Sequence, residues 1–96
     1  MKTAFVYILA SKKNGTLYTG VTSDLVKRVA NHKMRETEGF SSKYEVYILV
    51  YYECHDDLRE AIMREKRIKR WRRSWKLELI EKSNPNWRDL YDDIVG

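Results

Sequence analysis

Residues 4 to 22 read AFVYILA, SKKNGT, LYTGVT, and the fold turns on how these three short blocks are parsed. The first block, Ala4 to Ala10, is β-branched and aromatic, too short for a stable helix, and followed at once by a polar run. It reads as a strand. Within Ser11 to Thr16 the pair Asn14-Gly15 is a strong hairpin signal, since both residues tolerate positive φ. The third block, Leu17 to Thr22, then returns as a second strand antiparallel to the first. The first strand is apolar at consecutive positions, so both of its faces need covering, which predicts helices on each side of the sheet.

Outward from this hairpin the punctuation is regular. Ser23-Asp24 offers an N-cap, and Leu25, Val29 and His32 follow at helical spacing, predicting a helix from Asp24 to Met34. Arg35 to Lys43, with Gly39 and Ser41-Ser42, has the composition of a loop. Tyr44 to Glu53 has the strongest strand propensity in the chain. Strict alternation puts Val46, Ile48, Val50 and Tyr52 on one face and Tyr47, Leu49 and Tyr51 on the other. Asp56 or Asp57 caps a second helix with the apolar stripe Leu58, Ala61, Ile62 and Ile68. Trp75 to Lys82 forms a third amphipathic segment, stopped at Asn84-Pro85 because proline disfavours helical geometry in the residue before it. Trp87, Leu90, Tyr91 and Ile94 predict a tail that packs down.

The 96 residues are the length of one domain, 1–96, with no linker or internal repeat. Lys and Arg number 19 and Asp and Glu 14, a net charge of +5 that favours an anionic partner. Cys54 is the single cysteine, so no internal disulfide forms, which points to a reducing, cytoplasmic compartment. The opening Met1 to Ala10 lacks a small-x-small cleavage site and reads as a strand rather than a signal peptide. No apolar run approaches the ~18 residues that a membrane span needs.

Four constellations could carry chemistry, each with a plainer alternative. Glu65 interrupts the apolar stripe of the second helix, where a carboxylate is costly unless it is paired or holds a metal. Tyr7 and Tyr18 fall on neighbouring strands and could share a face, as a site or as stacked core rings. Asp24, Arg28 and His32 recur every four residues on one helical face, suited to binding phosphate and moving a proton, or simply solvated. Gly20 would admit a ligand or a helix close to its strand, or mark a bulge. Finally, Arg64, Lys66, Arg67, Lys69, Arg70, Arg72, Arg73 and Lys76 interleave with Trp71 and Trp75, a pattern suited to a phosphate backbone or to a solvated face. Other templates fail: Cys54-His55 has no second pair at zinc-finger spacing, and no Gly-rich phosphate loop precedes a helix.

Taken in order, these positions resemble the GIY-YIG nuclease family. The resemblance runs through Phe5-Val6-Tyr7 and Tyr18-Thr19-Gly20, then Asp24-Leu25, Arg28 and His32. It continues with Ala61, Glu65, Lys69 and Trp71, and ends with the stretch from Asn84 to Tyr91. It implies an α+β fold with a three-stranded, mainly antiparallel central sheet flanked by helices, and hydrolysis of DNA phosphodiesters assisted by one divalent cation, Mg²⁺ or Mn²⁺. By the same resemblance Glu65 is the metal ligand, Tyr18 the general base or water-orienting group and Tyr7 its partner. Arg28 steadies charge on the phosphate, while His32 serves proton relay and Asn84 positions the edge of the site. The chemistry suits these residues. Mg²⁺ keeps several waters and is often held by one or two carboxylates, and an arginine fork matches a phosphate. A phenol of reference pKa ~10 is a poor base near neutrality and needs help, so the rate should climb above neutral pH.

The chain departs from the family pattern at Phe5, where the motif opens with glycine, at Thr19, and at Val21, where several catalytic members have lysine. No attached DNA-recognition domain is evident. Cleavage with little sequence choice, a preference for a DNA structure, or a protein partner supplying specificity follows, with DNA repair or recombination as the setting and a monomer or weak dimer as the state. The residues do not separate DNA from RNA. The competing reading is a non-catalytic nucleic-acid-binding module, or an accessory subunit, on the same fold.

Overall fold

In the computed structural model the described residues are 3–34 and 44–96, and the predicted loop from Arg35 to Lys43 lies outside them. The elements are β1 (Ala4–Ala10), β2 (Leu17–Thr22), α1 (Leu25–Lys33), β3 (Ile48–His55), α2 (Leu58–Arg70), α3 (Arg73–Ser83) and α4 (Tyr91–Val95). The strands form one sheet in the order β2-β1-β3, and β1 pairs antiparallel with both neighbours.

The central place of β1 follows from its sequence. Ala4, Val6, Ile8 and Ala10 project to one face, where they meet Val50, Ala61, Ile68, Ile80 and Trp87 beneath α2 and α3. Tyr7 and Leu9 project to the other, against Leu25, Val29, Val46 and Leu49, with Leu90, Tyr91 and Ile94 packed alongside. Helices therefore cover both faces, as the unbroken apolar run requires. Each fully buried aliphatic or aromatic side chain contributes roughly 1.5–3 kcal/mol. Between β1 and β2 the chain closes through Ser11 N–H to Thr16 O at 3.0 Å and Gly15 N–H to Lys12 O at 2.9 Å. Asn14 takes a φ of 60°, a left-handed value that asparagine tolerates. A Cβ on Gly15 would overlap the Ser11 hydroxyl, so a larger residue there would displace the Ser11 side chain from the turn.

The third strand departs from expectation in two ways. It begins at Ile48 rather than Tyr44, because Glu45 has a φ of 54°, incompatible with a ladder. Its alternation is also broken: Ile8 pairs with Tyr51 but Leu9 with Leu49, so Val50 is an extra residue in a β-bulge. Beyond the bulge every side chain changes face. Tyr51, Glu53 and His55 join the side of Ile8, Val6 and Ala4, and Tyr52 comes to lie opposite Tyr7. Of the predicted stripe on α2, Ala61 and Ile68 are buried but Leu58 is 46% exposed. Asp57 is the cap, its Oδ1 accepting from Arg59 N at 2.6 Å. The following helix starts at Arg73, two residues before the predicted Trp75, and the tail packs down as expected, with its last turn helical. No helix among the described residues is long and apolar enough to cross a membrane.

Candidate active site

Tyr7 lies opposite Gly20, and Leu9 opposite Tyr18, so the two tyrosines share the face of the sheet that α1 covers. Their ring centroids are 6.3 Å apart. A Cβ on Gly20 would overlap the Tyr7 hydroxyl and ring edge. The space that Gly20 leaves is therefore filled by Tyr7 itself, not by a ligand or a helix. Helix α1 starts where Asp24 Oδ1 accepts from Lys27 N at 3.1 Å, and it buries Leu25, Val29 and His32 against the sheet. This places the imidazole 5.4 Å from the Tyr18 ring and 6.1 Å from the Tyr7 ring, between centroids. Tyr7 Oη and His32 Nε2 are 3.3 Å apart.

Burial, and then the neighbouring Tyr18 oxygen, push the Tyr7 phenol up to about 12, against the opposing pull of Arg28. Burial also lowers His32 from its ordinary value, and the Arg28 charge lowers it further. At neutral pH the pocket thus holds a protonated phenol and a neutral imidazole beside a permanent guanidinium. Tyr7 is a hydrogen-bond donor in this setting, and the neutral ring can take a proton.

Glu65 comes from the opposite side. Its helix, α2, packs on the face away from Tyr7, and Glu65 is 8% exposed there, with Lys69 Nζ 2.6 Å from Oε2. Lys69 also lines, with Lys76, a cavity of about 260 Å³ whose other walls are Leu17, Tyr18 and Thr19. Lys69 thus links Glu65 to a cavity on the β2 edge that carries Tyr18. Asn84 does not join it. Its Nδ2 donates to Val50 O at 3.1 Å and Arg88 O at 2.8 Å, and its Oδ1 accepts from Arg88 N at 3.0 Å. These bonds fasten the end of α3 to the bulge and the tail.

The basic run divides in the same way. Arg64 Nε and Nη2 lie on Glu53 at 2.9 and 3.3 Å, and Arg73 Nη2 donates to Asn14 O at 2.8 Å and Gly15 O at 2.6 Å. Arg72 stacks over Trp75 at 4.9 Å. Lys66, Arg67 and Arg70 are exposed and have no carboxylate partner among the described residues. A network around Glu53 escapes the sequence reading: Tyr51 Oη donates to Oε1, and His55 Nε2 lies 2.6 Å from Oε2. The spacing of residues 51, 53 and 55 hints at a shared face, but only the bulge turns that face toward Arg64.

Among the described residues no group of three or more His, Cys, Asp or Glu side chains could form a metal cage. A single carboxylate with one half-exposed lysine on it still fits a hard divalent ion, because Mg²⁺ keeps most of its waters and accepts substrate oxygens. Glu65 is the residue that would hold it.

The fold has counterparts among known proteins. The GIY-YIG catalytic domain matches residues 3–78. The chain is 36% identical over 77 residues to the UPF0213 protein SH2523 of Staphylococcus haemolyticus, covering 80% of this chain and 93% of that one. It is 37% identical over 76 residues to the UPF0213 protein SSP2268 of Staphylococcus saprophyticus, covering 79% and 92%. The solution NMR structure of the UPF0213 protein BH0048 from Bacillus halodurans is similar at a TM-score of 0.56 and 25% identity, covering 91% of this chain and 92% of that one. That likeness extends past residue 78 into the tail. With a matching domain over most of its length and relatives of its own size, the chain belongs to the GIY-YIG family, whose catalytic domain implies a nuclease acting on nucleic acid with a divalent metal ion.

Proposed function

We propose that this chain, as one domain spanning 1–96, is a metal-dependent endonuclease that hydrolyses phosphodiester bonds in DNA with little sequence choice. The observation that carries the reading is the buried group under α1, in which Tyr7, Tyr18 and His32 meet beside Arg28. In this reading Tyr18, the more exposed of the two phenols, orients the attacking water and takes its proton. Tyr18 passes its own proton toward His32 as it takes the proton of water, and Tyr7, held protonated, donates to the negative charge that Tyr18 carries between the two transfers. His32, neutral and in contact with both rings, receives or returns a proton through the Tyr7 hydroxyl. Arg28 supplies fixed positive charge to the phosphate as it becomes pentavalent, and needs no reorganisation to do so. A divalent ion on Glu65 would add Lewis-acid charge at the phosphate and lower the cost of ionising water. Asn84 has no chemical part in this scheme.

The test is a cleavage assay on single-stranded, nicked, branched and supercoiled DNA, and on RNA, with Mg²⁺ or Mn²⁺ against EDTA. Metal-dependent product that disappears in Glu65→Gln, with DNA affinity kept within a few-fold, supports the nuclease. Product that survives the substitution removes Glu65 from the metal site. One observation favours a second reading, a non-catalytic nucleic-acid-binding module: Lys66, Arg67 and Arg70 stand exposed on α2 without carboxylate partners among the described residues. That module would bind with steep salt dependence and give no product.

A further inference from the structure

The cavity between β2 and the corner of α2 and α3 is unusual in its charge. Its walls are Leu17, Tyr18 and Thr19 from β2, Lys69 from α2 and Lys76 from α3. Strand β2 brings no acid to it. Among the described residues Lys69 is paired with one carboxylate, Glu65, and Arg73, on the turn of α3 before Lys76, is bonded to the carbonyls of Asn14 and Gly15. Lys76 itself is partly buried and has no carboxylate partner among the described residues. Two lysines therefore line a partly enclosed volume of about 260 Å³, with Glu65 on one of them and Arg73 a turn from the other.

Such an arrangement is costly in a free protein. Like charges held together at the edge of an apolar core repel and lose hydration, and the cost is offset only when a counter-charge arrives. Burial, then the charges of Arg73 and Lys69, lower the Lys76 ammonium from its usual value, consistent with that strain. Among the described residues no carboxylate other than Glu65 is paired with the cluster. A tetrahedral oxyanion suits the donors: two ammonium groups act as point charges, and Thr19 and Tyr18 form part of the adjoining wall.

We propose that this cavity is a phosphate site, in which Lys69 and Lys76 hold one phosphodiester group of the nucleic acid against the β2 edge beside Tyr18. The proposal deepens the nuclease reading and rests on it for the identity of the phosphate donor. It also gives Lys69 and Lys76 a different task from the exposed cations of α2, which meet the backbone diffusely. Lys69 would pass between Glu65 in the free protein and phosphate in the complex, clearing the carboxylate at the moment substrate arrives.

The experiment is a titration of the full ¹⁵N-labelled chain with inorganic phosphate at constant ionic strength, without metal, following the amide resonances of Leu17, Tyr18 and Thr19. Saturable shifts at these residues are expected. Lys76→Met should weaken binding by about tenfold or more, the loss of one charge-assisted hydrogen bond, while Lys76→Arg retains most of it. Lys27→Met, on α1, should leave it unchanged. Shifts that never saturate in the parent chain, or that saturate equally in Lys76→Met, overturn the proposal. The parent titration decides even if the methionine variant does not fold. Because neither metal nor cleavage is involved, a chain that cuts DNA but shows no saturation refutes the phosphate site alone, and one that saturates but never cuts refutes the nuclease alone.

Discussion

Glu53 on β3 and Glu65 on α2 are both carboxylates set largely out of water, with side-chain exposures of 18% and 11%, and each meets a cation of α2. Their surroundings differ. Burial pushes Glu53 up, but hydrogen bonds from Arg64, Tyr51 and His55 outweigh it and hold the carboxyl below its usual range. Those partners are themselves fixed, two on the strand and one by its fork on both oxygens. Glu65 instead has Lys69, whose side chain is 51% exposed and ends in a single flexible ammonium. A carboxylate whose lone pairs all face anchored donors serves as mortar. One covered by a single mobile lysine can exchange its partner, and this difference, rather than burial, separates the acid suited to a metal from the acid suited to the fold.

The contrast can be broken most directly by removing each charge in turn. Glu65→Gln is expected to lower metal-dependent cleavage by on the order of 10³-fold, several kcal/mol of transition-state stabilisation, whereas Glu53→Gln leaves the rate per folded molecule within a few-fold. Single-turnover assays at saturating metal compare them, and equal losses would erase the distinction. In denaturant melts the order reverses. Glu53→Gln should cost about 1–3 kcal/mol, less than a fully buried pair because Arg64 retains some solvent, and Glu65→Gln should cost less than that.

Gly20→Ala tests whether the tyrosine side of the sheet is as exacting as the Glu65 side. The new methyl displaces the Tyr7 hydroxyl, and about a tenfold loss of rate is expected with folding retained. A rate equal to the parent's would mean that the Tyr7 position is not used.

The smallest effects are in the pH dependence of stability. Tyr7 is raised from 10.0 to about 12, so its contribution is complete below pH 10 and is lost as pH climbs toward 12. His32 is lowered from 6.5, so its contribution is present above that value and is lost as pH falls below it. Glu53 is lowered from 4.5, and its share disappears further on the acid side. Tyr7→Phe should flatten part of the alkaline limb, and Glu53→Gln should flatten the most acidic limb while also altering the alkaline one, because Glu53 helps to raise the Tyr51 phenol.

The hairpin, its turn, α1 and the two-sided cover of β1 are legible in the sequence because each depends on local pattern: a strand-length apolar block, Asn14-Gly15, an aspartate cap. The nearness of Tyr7 and Tyr18 is legible for the same reason, since a short hairpin fixes its own register. The face of Tyr51 is not. A bulge adds one residue without any propensity signal, and the carbonyl of the extra residue, Val50, is met by the distant Asn84 side chain. The partners of the basic run were equally hidden. Arg64 and Arg73 look like their neighbours in sequence and are distinguished only by the strand and turn that fold back to meet them.

The tail has a consequence for where the protein can be cut. The family match ends at residue 78, yet Ile80 and Trp87 are core residues. Asp89 Oδ1 accepts from Leu49 N at 3.2 Å, its Oδ2 takes the Lys33 ammonium at 2.5 Å, and Leu90 N–H donates to Leu49 O at 2.8 Å. These last contacts occupy the outer side of β3 at its first residues, on an edge strand that would otherwise offer its backbone to another chain. A truncation drawn at the end of the recognised pattern would remove the anchor of α1 and uncover that edge together. Asp89 and Leu90 thus shield the backbone of an edge strand as much as they hold the tail to the core.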